Sequence, residues 1–115
     1  MATIIVCGGR GYADRAQLFK TLDSIHDHST ITLLVHGAAP GADSLAGEWA
    51  VDRGVPVRAF PADWKKNFRA AGPIRNQQMI DETDASVLVA FPGGKGTKDM
   101  IGRAIKAKLK VIEAN

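Results

Sequence analysis

Five apolar runs rich in β-branched residues, at 3–7, 31–35, 55–60, 85–91 and 110–112, alternate along this chain with stretches whose apolar positions recur at helical spacing. No other feature restricts the fold as tightly. Strands this continuously hydrophobic are buried on both faces, and strands separated by a helix pair in parallel. The alternation therefore predicts an α/β fold, a small doubly wound parallel sheet of about five strands with helices on both faces. The helices are expected at 15–26 (Leu18, Leu22, Ile25), 42–53 (Leu45, Ala46, Trp49, Ala50), 73–82 and 97–108 (Met100, Ile101, Ala104, Ile105). With 115 residues, 45% of them hydrophobic, the chain has apolar area for one core and is expected to form a single domain over 1–115.

Several function classes are excluded or disfavoured at this level. No apolar run approaches the roughly 20 residues that a membrane helix needs. The first run has no basic stretch before it and no small-residue cleavage site after it, so a cytoplasmic protein is expected. The single cysteine, Cys7, excludes an internal disulfide framework and a cysteine-rich zinc site, and fits a reducing compartment. His26 and His28 stand two apart and share no helix face, and His36 stands alone, so neither a metal nor a cofactor is expected. Fifteen basic against twelve acidic residues leave a net charge of +3. That excess disfavours nucleic acid as the partner and suits a small anionic ligand.

Glycine gathers where strands hand over to helices: Gly8, Gly9 and Gly11 around Arg10; Gly37 and Gly41 ahead of Ala42, Asp43 and Ser44; and Pro92-Gly93-Gly94-Lys95-Gly96-Thr97. In an open parallel sheet these junctions lie together at the carboxyl ends of the strands, where ligands bind. The third follows the most apolar strand and opens a helix, so its N–H groups can form a nest for phosphate, the dipole adding to the attraction. Neither the P-loop pattern nor the three-glycine dinucleotide fingerprint is matched. Asp43 either caps its helix or takes a ribose hydroxyl. Ser44 lies beside it at the helix start. Arg10 suits a phosphate or carboxylate, while Tyr12 either stacks on a base or packs over the first helix. Arg75 sits in a first helical turn, where a cation opposes the dipole and an anionic ligand would account for it. Asn76 beside it offers groups for a base or sugar. Trp64, in the polar segment 61–72, is either core or a stacking lid.

Taken in order, Gly8-Gly9-Arg10, His36-Gly37 through Gly41-Ala42-Asp43, Ala62-Asp63-Trp64-Lys65, Ala71 through Asn76 and Phe91 through Thr97 resemble the YspA-like branch of the SLOG superfamily. That superfamily is related to the Lonely Guy phosphoribohydrolases and to DNA-processing protein A. The resemblance spans nearly the whole chain. It implies a Rossmann-like fold that binds nucleotides or nucleotide-derived ligands, such as a nucleoside monophosphate or an ADP-ribose derivative, for sensing or sequestration. It also implies a homodimer or higher homo-oligomer.

The Lonely Guy enzymes cleave nucleoside 5′-monophosphates with an arginine and a glutamate. The arginine matches Arg75, with Met79 four residues on. The glutamate that ends the pattern Pro-Gly-Gly-x-Gly-Thr-x-x-Glu is Met100 here. A thioether can neither stabilise an oxocarbenium-like transition state nor activate water. Asp99, one residue earlier, is turned about 100° around the helix. Binding without turnover is therefore the first expectation. A phosphoribohydrolase using Arg75 with Asp99 or Asp43 is the alternative, and a DNA-handling module is the second alternative.

Overall fold

The computed structural model describes residues 1–115. Five strands, β1 (Ala2–Cys7), β2 (Ile31–His36), β3 (Val57–Ala59), β4 (Val87–Ala90) and β5 (Lys110–Glu113), form one sheet in the order β3-β2-β1-β4-β5. Every neighbouring pair is parallel. This is the expected α/β doubly wound sheet. Its connections run outward from β1 in both directions, so the topological switch point lies between β1 and β4, where a crevice opens beyond the strand ends.

The helices α1 (Arg15–His28) and α2 (Ala42–Arg53) cover one face, and α4 (Ala71–Asp81) and α5 (Lys95–Lys106) the other. Between them α3 (Trp64–Asn67) and a 3-10 turn (Phe68–Ala70) lead into α4. Alternation along β1 divides the core. Ile4 and Val6 pack with Leu18, Leu22, Ala46 and Trp49 on one side, while Ile5 and Cys7 pack with Met79, Met100 and Ala104 on the other. Trp49 is fully buried, and its indole N–H donates to Asp23 Oδ1 at 2.8 Å, which meets the one polar need of that side chain.

Most elements end within one or two residues of expectation, and four differences have a visible cause. The third strand is shorter than 55–60, because Val55 N donates to Ala50 O and closes α2 instead of extending the sheet. The fourth is also shorter than 85–91, although Ser86 and Phe91 still bond Thr3 O and Cys7 O beyond its ends. The third long helix, α4, begins at Ala71 rather than at 73, with Pro73 inside the first turn, where its missing N–H costs nothing. The last begins at Lys95 rather than Thr97, because Gly94 makes the turn into the helix. The polar segment after 61 yields α3, started by Asp63 Oδ1 accepting from Lys66 N at 3.1 Å. No helix is long and apolar enough to cross a membrane.

Candidate functional site

At the crevice between β1 and β4 lies a cleft of about 320 Å³, lined by residues from all three glycine junctions and from α4. The lining includes Gly8, Gly9, Arg10, Asp43, Arg75, Asn76, Gly94, Lys95, Gly96 and Thr97. Close backbone packing builds it. Gly9 N donates to Pro92 O at 2.9 Å, tying the first junction to the third, and Gly9 O accepts from Ala42 N at 3.2 Å, tying it to the second. Gly41 adopts φ +79°, and a Cβ there would collide with the carbonyls of Gly9 and Arg10. Gly93 lies so close to Gly9 N that an added Cβ would stand 2.7 Å from it. These glycines are what allow three loops to meet at one edge.

The three helix starts at this edge differ. At α1, Asp14 accepts from Gln17 N at 3.0 Å. At α2, the backbone of Gly9 takes the first N–H. At α5 no side chain caps the helix, and the N–H groups of Lys95, Gly96 and Thr97 have no protein acceptor. Those donors, the positive end of the dipole and the Lys95 side chain belong to one wall of the cleft.

Arg75, half-buried, lies on α4. Its Nε donates to Asn76 Oδ1 at 3.0 Å and its Nη1 to Gly37 O, while Nη2 has no protein partner. Burial holds its pKa below the ordinary arginine value, and Asp43 partly restores it. Asn76 is buried and spends both amide hydrogens within the protein, on Gly96 O at 3.3 Å and Asp99 Oδ2 at 3.0 Å. Arg10, exposed at the mouth, has its guanidinium carbon 5.8 Å from the ring centre of Trp64.

Asp43 is buried, and its Oδ2 accepts from Gly37 N at 3.0 Å and from Ala39 N at 3.3 Å. It therefore locks the 36–39 loop and does not cap its own helix, whose cap position is Gly41. Its Oδ1 has no protein partner, and since no enclosed polar side-chain atom lacks one, that oxygen opens onto the cleft. Burial pushes the carboxyl up to about 6, against the pull of the Ala39 and Gly37 N–H groups and of Arg75 and Arg10. At the floor, burial and then Asp43 push the Cys7 thiol up to about 12, so it stays protonated and is a poor nucleophile.

Several candidates lie outside the lining of the cleft. Tyr12 packs on Phe91, ring centres 5.2 Å apart, and its hydroxyl donates to Asn115 O at 2.7 Å. Ser44 Oγ donates to Ala39 O at 2.9 Å and braces the same loop as Asp43. Pro92 contributes its carbonyl to Gly9, and Gly93 and Gly37 serve close packing. Trp64 stands half exposed near the start of α4. Met100 is fully buried under α5, and Asp99 is held behind Asn76, outside the lining. Cys7, Ala39 and Met79 line the cleft without having been expected there. Cys7 carries a sequence signal in its place at the strand end directly before Gly8, and Met79 in its place four residues after Arg75.

Fold and site together define a Rossmann-like α/β domain with a cationic, donor-rich cleft at its switch point. The family model described as "YspA, cpYpsA-related SLOG family" matches residues 2–67, more than half of the chain, and the protein belongs to that family. It is also similar to the Gene 61 protein of Mycobacterium phage D29, at 33% identity over 120 residues that cover 97% of this chain and 95% of that one. Arg75 and the 92–97 loop fall outside the stretch matched by the family model and inside the span aligned with the phage protein. Membership of this family is consistent with binding a nucleotide-related ligand.

Proposed function

We propose that the protein binds a phosphorylated nucleotide or nucleotide-derived ligand, a nucleoside monophosphate or an ADP-ribose derivative, and senses or sequesters it. One observation carries this reading: the free N–H groups at the start of α5 share a cleft with Arg75, Arg10 and Lys95, against a single carboxylate, Asp43. The phosphate sits on Gly94 to Thr97 and draws on Arg75 Nη2, with Arg10 at the mouth. Each charge-assisted bond contributes roughly 1.5–3 kcal/mol before desolvation and ordering costs, enough for micromolar affinity. Asp43 Oδ1 accepts from a sugar hydroxyl, and the exposed Trp64 ring offers a face to the base.

A second reading, N-glycosidic hydrolysis, is favoured by one feature. Asp43 is a cleft carboxyl held near neutrality, which suits general acid–base work. Met100, buried under α5, supplies no carboxylate. One experiment separates these readings. The protein is mixed at near-stoichiometric concentration with nucleoside monophosphates, ADP-ribose and cyclic ADP-ribose, filtered, and both fractions are chromatographed. Binding predicts ligand retained by the protein and recovered intact after denaturation, whereas free base beyond one equivalent establishes hydrolysis. If every nucleotide passes the filter unchanged, the binding reading fails. Pairing with a second copy is supported by the exposed Ile74 on α4 and Ile105 on α5, and sedimentation tests it.

A further inference from the structure

Asp99 does not line the cleft, yet a continuous line of hydrogen bonds joins it to a residue that does. Its Oδ2 accepts from Asn76 Nδ2 at 3.0 Å, and Asn76 Oδ1 accepts from Arg75 Nε at 3.0 Å. On the other side Asp99 Oδ2 accepts from Arg103 Nε at 2.8 Å, and Arg103 Nη1 donates to Gln77 Oε1 at 3.1 Å. We propose that Asp99 is a positioning residue, which sets the orientation of the Asn76 amide and through it holds Arg75 in the pose that presents Nη2 to an anionic ligand.

The argument rests on the two-faced nature of an amide. Its oxygen accepts and its nitrogen donates, and the two orientations have almost the same shape. An ionised carboxylate accepts only, so Asp99 draws Nδ2 towards α5 and leaves Oδ1 for Arg75. With the amide reversed, its nitrogen would meet Arg75 Nε, donor against donor. Its oxygen would meet the Asp99 carboxylate and the Gly96 carbonyl, acceptor against acceptors. Asn76 is buried, so water cannot repair either mismatch. Burial alone would raise the Asp99 pKa, but the bonds from Arg103 and Asn76 prevail and hold it below the usual carboxylate range, so it stays ionised. Fixing Nε and Nη1 in advance removes rotamer freedom that a ligand would otherwise have to freeze.

That Arg75 meets ligand depends on the binding function proposed above, whereas the ordering of Arg75 by Asp99 can be read without ligand. The test uses the full chain as wild type, Asp99→Ala, Asp99→Asn, Arg75→Ala and the Asp99→Ala/Arg75→Ala double variant. Nitrogen-15 NMR follows exchange of the Arg75 Nε–H with water, and calorimetry follows binding of AMP and of inorganic phosphate. Asp99→Ala is expected to speed that exchange about tenfold and to weaken AMP binding about five- to tenfold, and to change affinity less than about twofold in the Arg75→Ala background. Asp99→Asn falls between, because an amide oxygen accepts the same bonds without the charge. Unchanged Nε–H exchange in Asp99→Ala overturns the proposal, as does an equal affinity loss in both backgrounds. If Asp99→Ala does not fold, Asp99→Asn carries the same readouts at reduced size. If wild type takes up neither AMP nor phosphate, the binding function fails, and the exchange data still decide what Asp99 does.

Discussion

The junctions after β2 and after β4 look alike in sequence, each rich in glycine and each followed at once by a helix, yet they do opposite work. After β2, glycine lets backbone fill the space. Gly41 turns with φ +79° against the Gly9 and Arg10 carbonyls, Gly9 O takes the Ala42 N–H, and Asp43 ties down the 36–39 loop. After β4, Gly94 and Gly96 have open space where a Cβ would stand, and the helix keeps its first donors free. One junction is a structural knot and the other an open set of donors. Glycine content alone does not distinguish them, because the same residue serves close packing and open donor geometry.

The most damaging way to break this contrast is Gly41→Ala, which places a Cβ against backbone at positive φ. It should lose about 3 kcal/mol or more of stability in urea unfolding, whereas Gly94→Ala, with nothing in the way, should lose less than about 1 kcal/mol. Equal losses would show that the two junctions are not different in kind.

Titration sharpens the role of Asp43. Its pKa rises from 3.8 to about 6 in the folded protein, so the native state binds the proton more tightly than the unfolded chain. The resulting stabilisation is complete below pH 4 and is lost as pH climbs through about 6, a change of roughly 3 kcal/mol. Asp43→Asn keeps an oxygen for the Gly37 and Ala39 N–H groups and removes the charge. It should flatten the pH dependence of stability between pH 4 and 7 and raise phosphate affinity above pH 7. A profile as steep as wild type would remove Asp43 from the account.

On the open side, if the proposed binding holds, Arg75→Ala should weaken AMP binding about fiftyfold, the loss of strong charge-assisted bonds. It should also lower stability modestly, because Gly37 O and Asn76 Oδ1 lose a donor. Calorimetry and thermal unfolding separate the two effects. Lys95→Ala should cost only about threefold in affinity, and less still at high salt, because the side chain is exposed and screened. A larger effect from Lys95 than from Arg75 would move the anion away from α4.

Much of the fold was legible from period alone. Runs of β-branched residues at 3–7 and 31–35 and apolar helical spacing at 18, 22 and 25 answer to local geometry, which neighbours in sequence specify. Val55 has the local pattern of a strand but closes α2 instead, because its partner, Ala50 O, ends a helix whose close depends on Gly54 in a left-handed conformation. The site was legible as a set of loops and less so as a set of roles. Tyr12 and Asn76 both carry groups that could meet a ligand, and both are engaged by residues far along the chain, Asn115 in one case and Asp99 in the other.

The sequence by itself determined that this protein is a parallel α/β domain with its glycine loops at one edge, since alternation, burial and strand direction follow from short-range pattern. Only the tertiary structure decided which helix start stays open, which carboxylate opens onto the cleft and which stands behind Asn76. Those outcomes rest on bonds such as Ala42 to Gly9 and Asn76 to Asp99, formed between segments brought together by the sheet. A hydrogen bond across that distance is set by packing, and no local pattern encodes it.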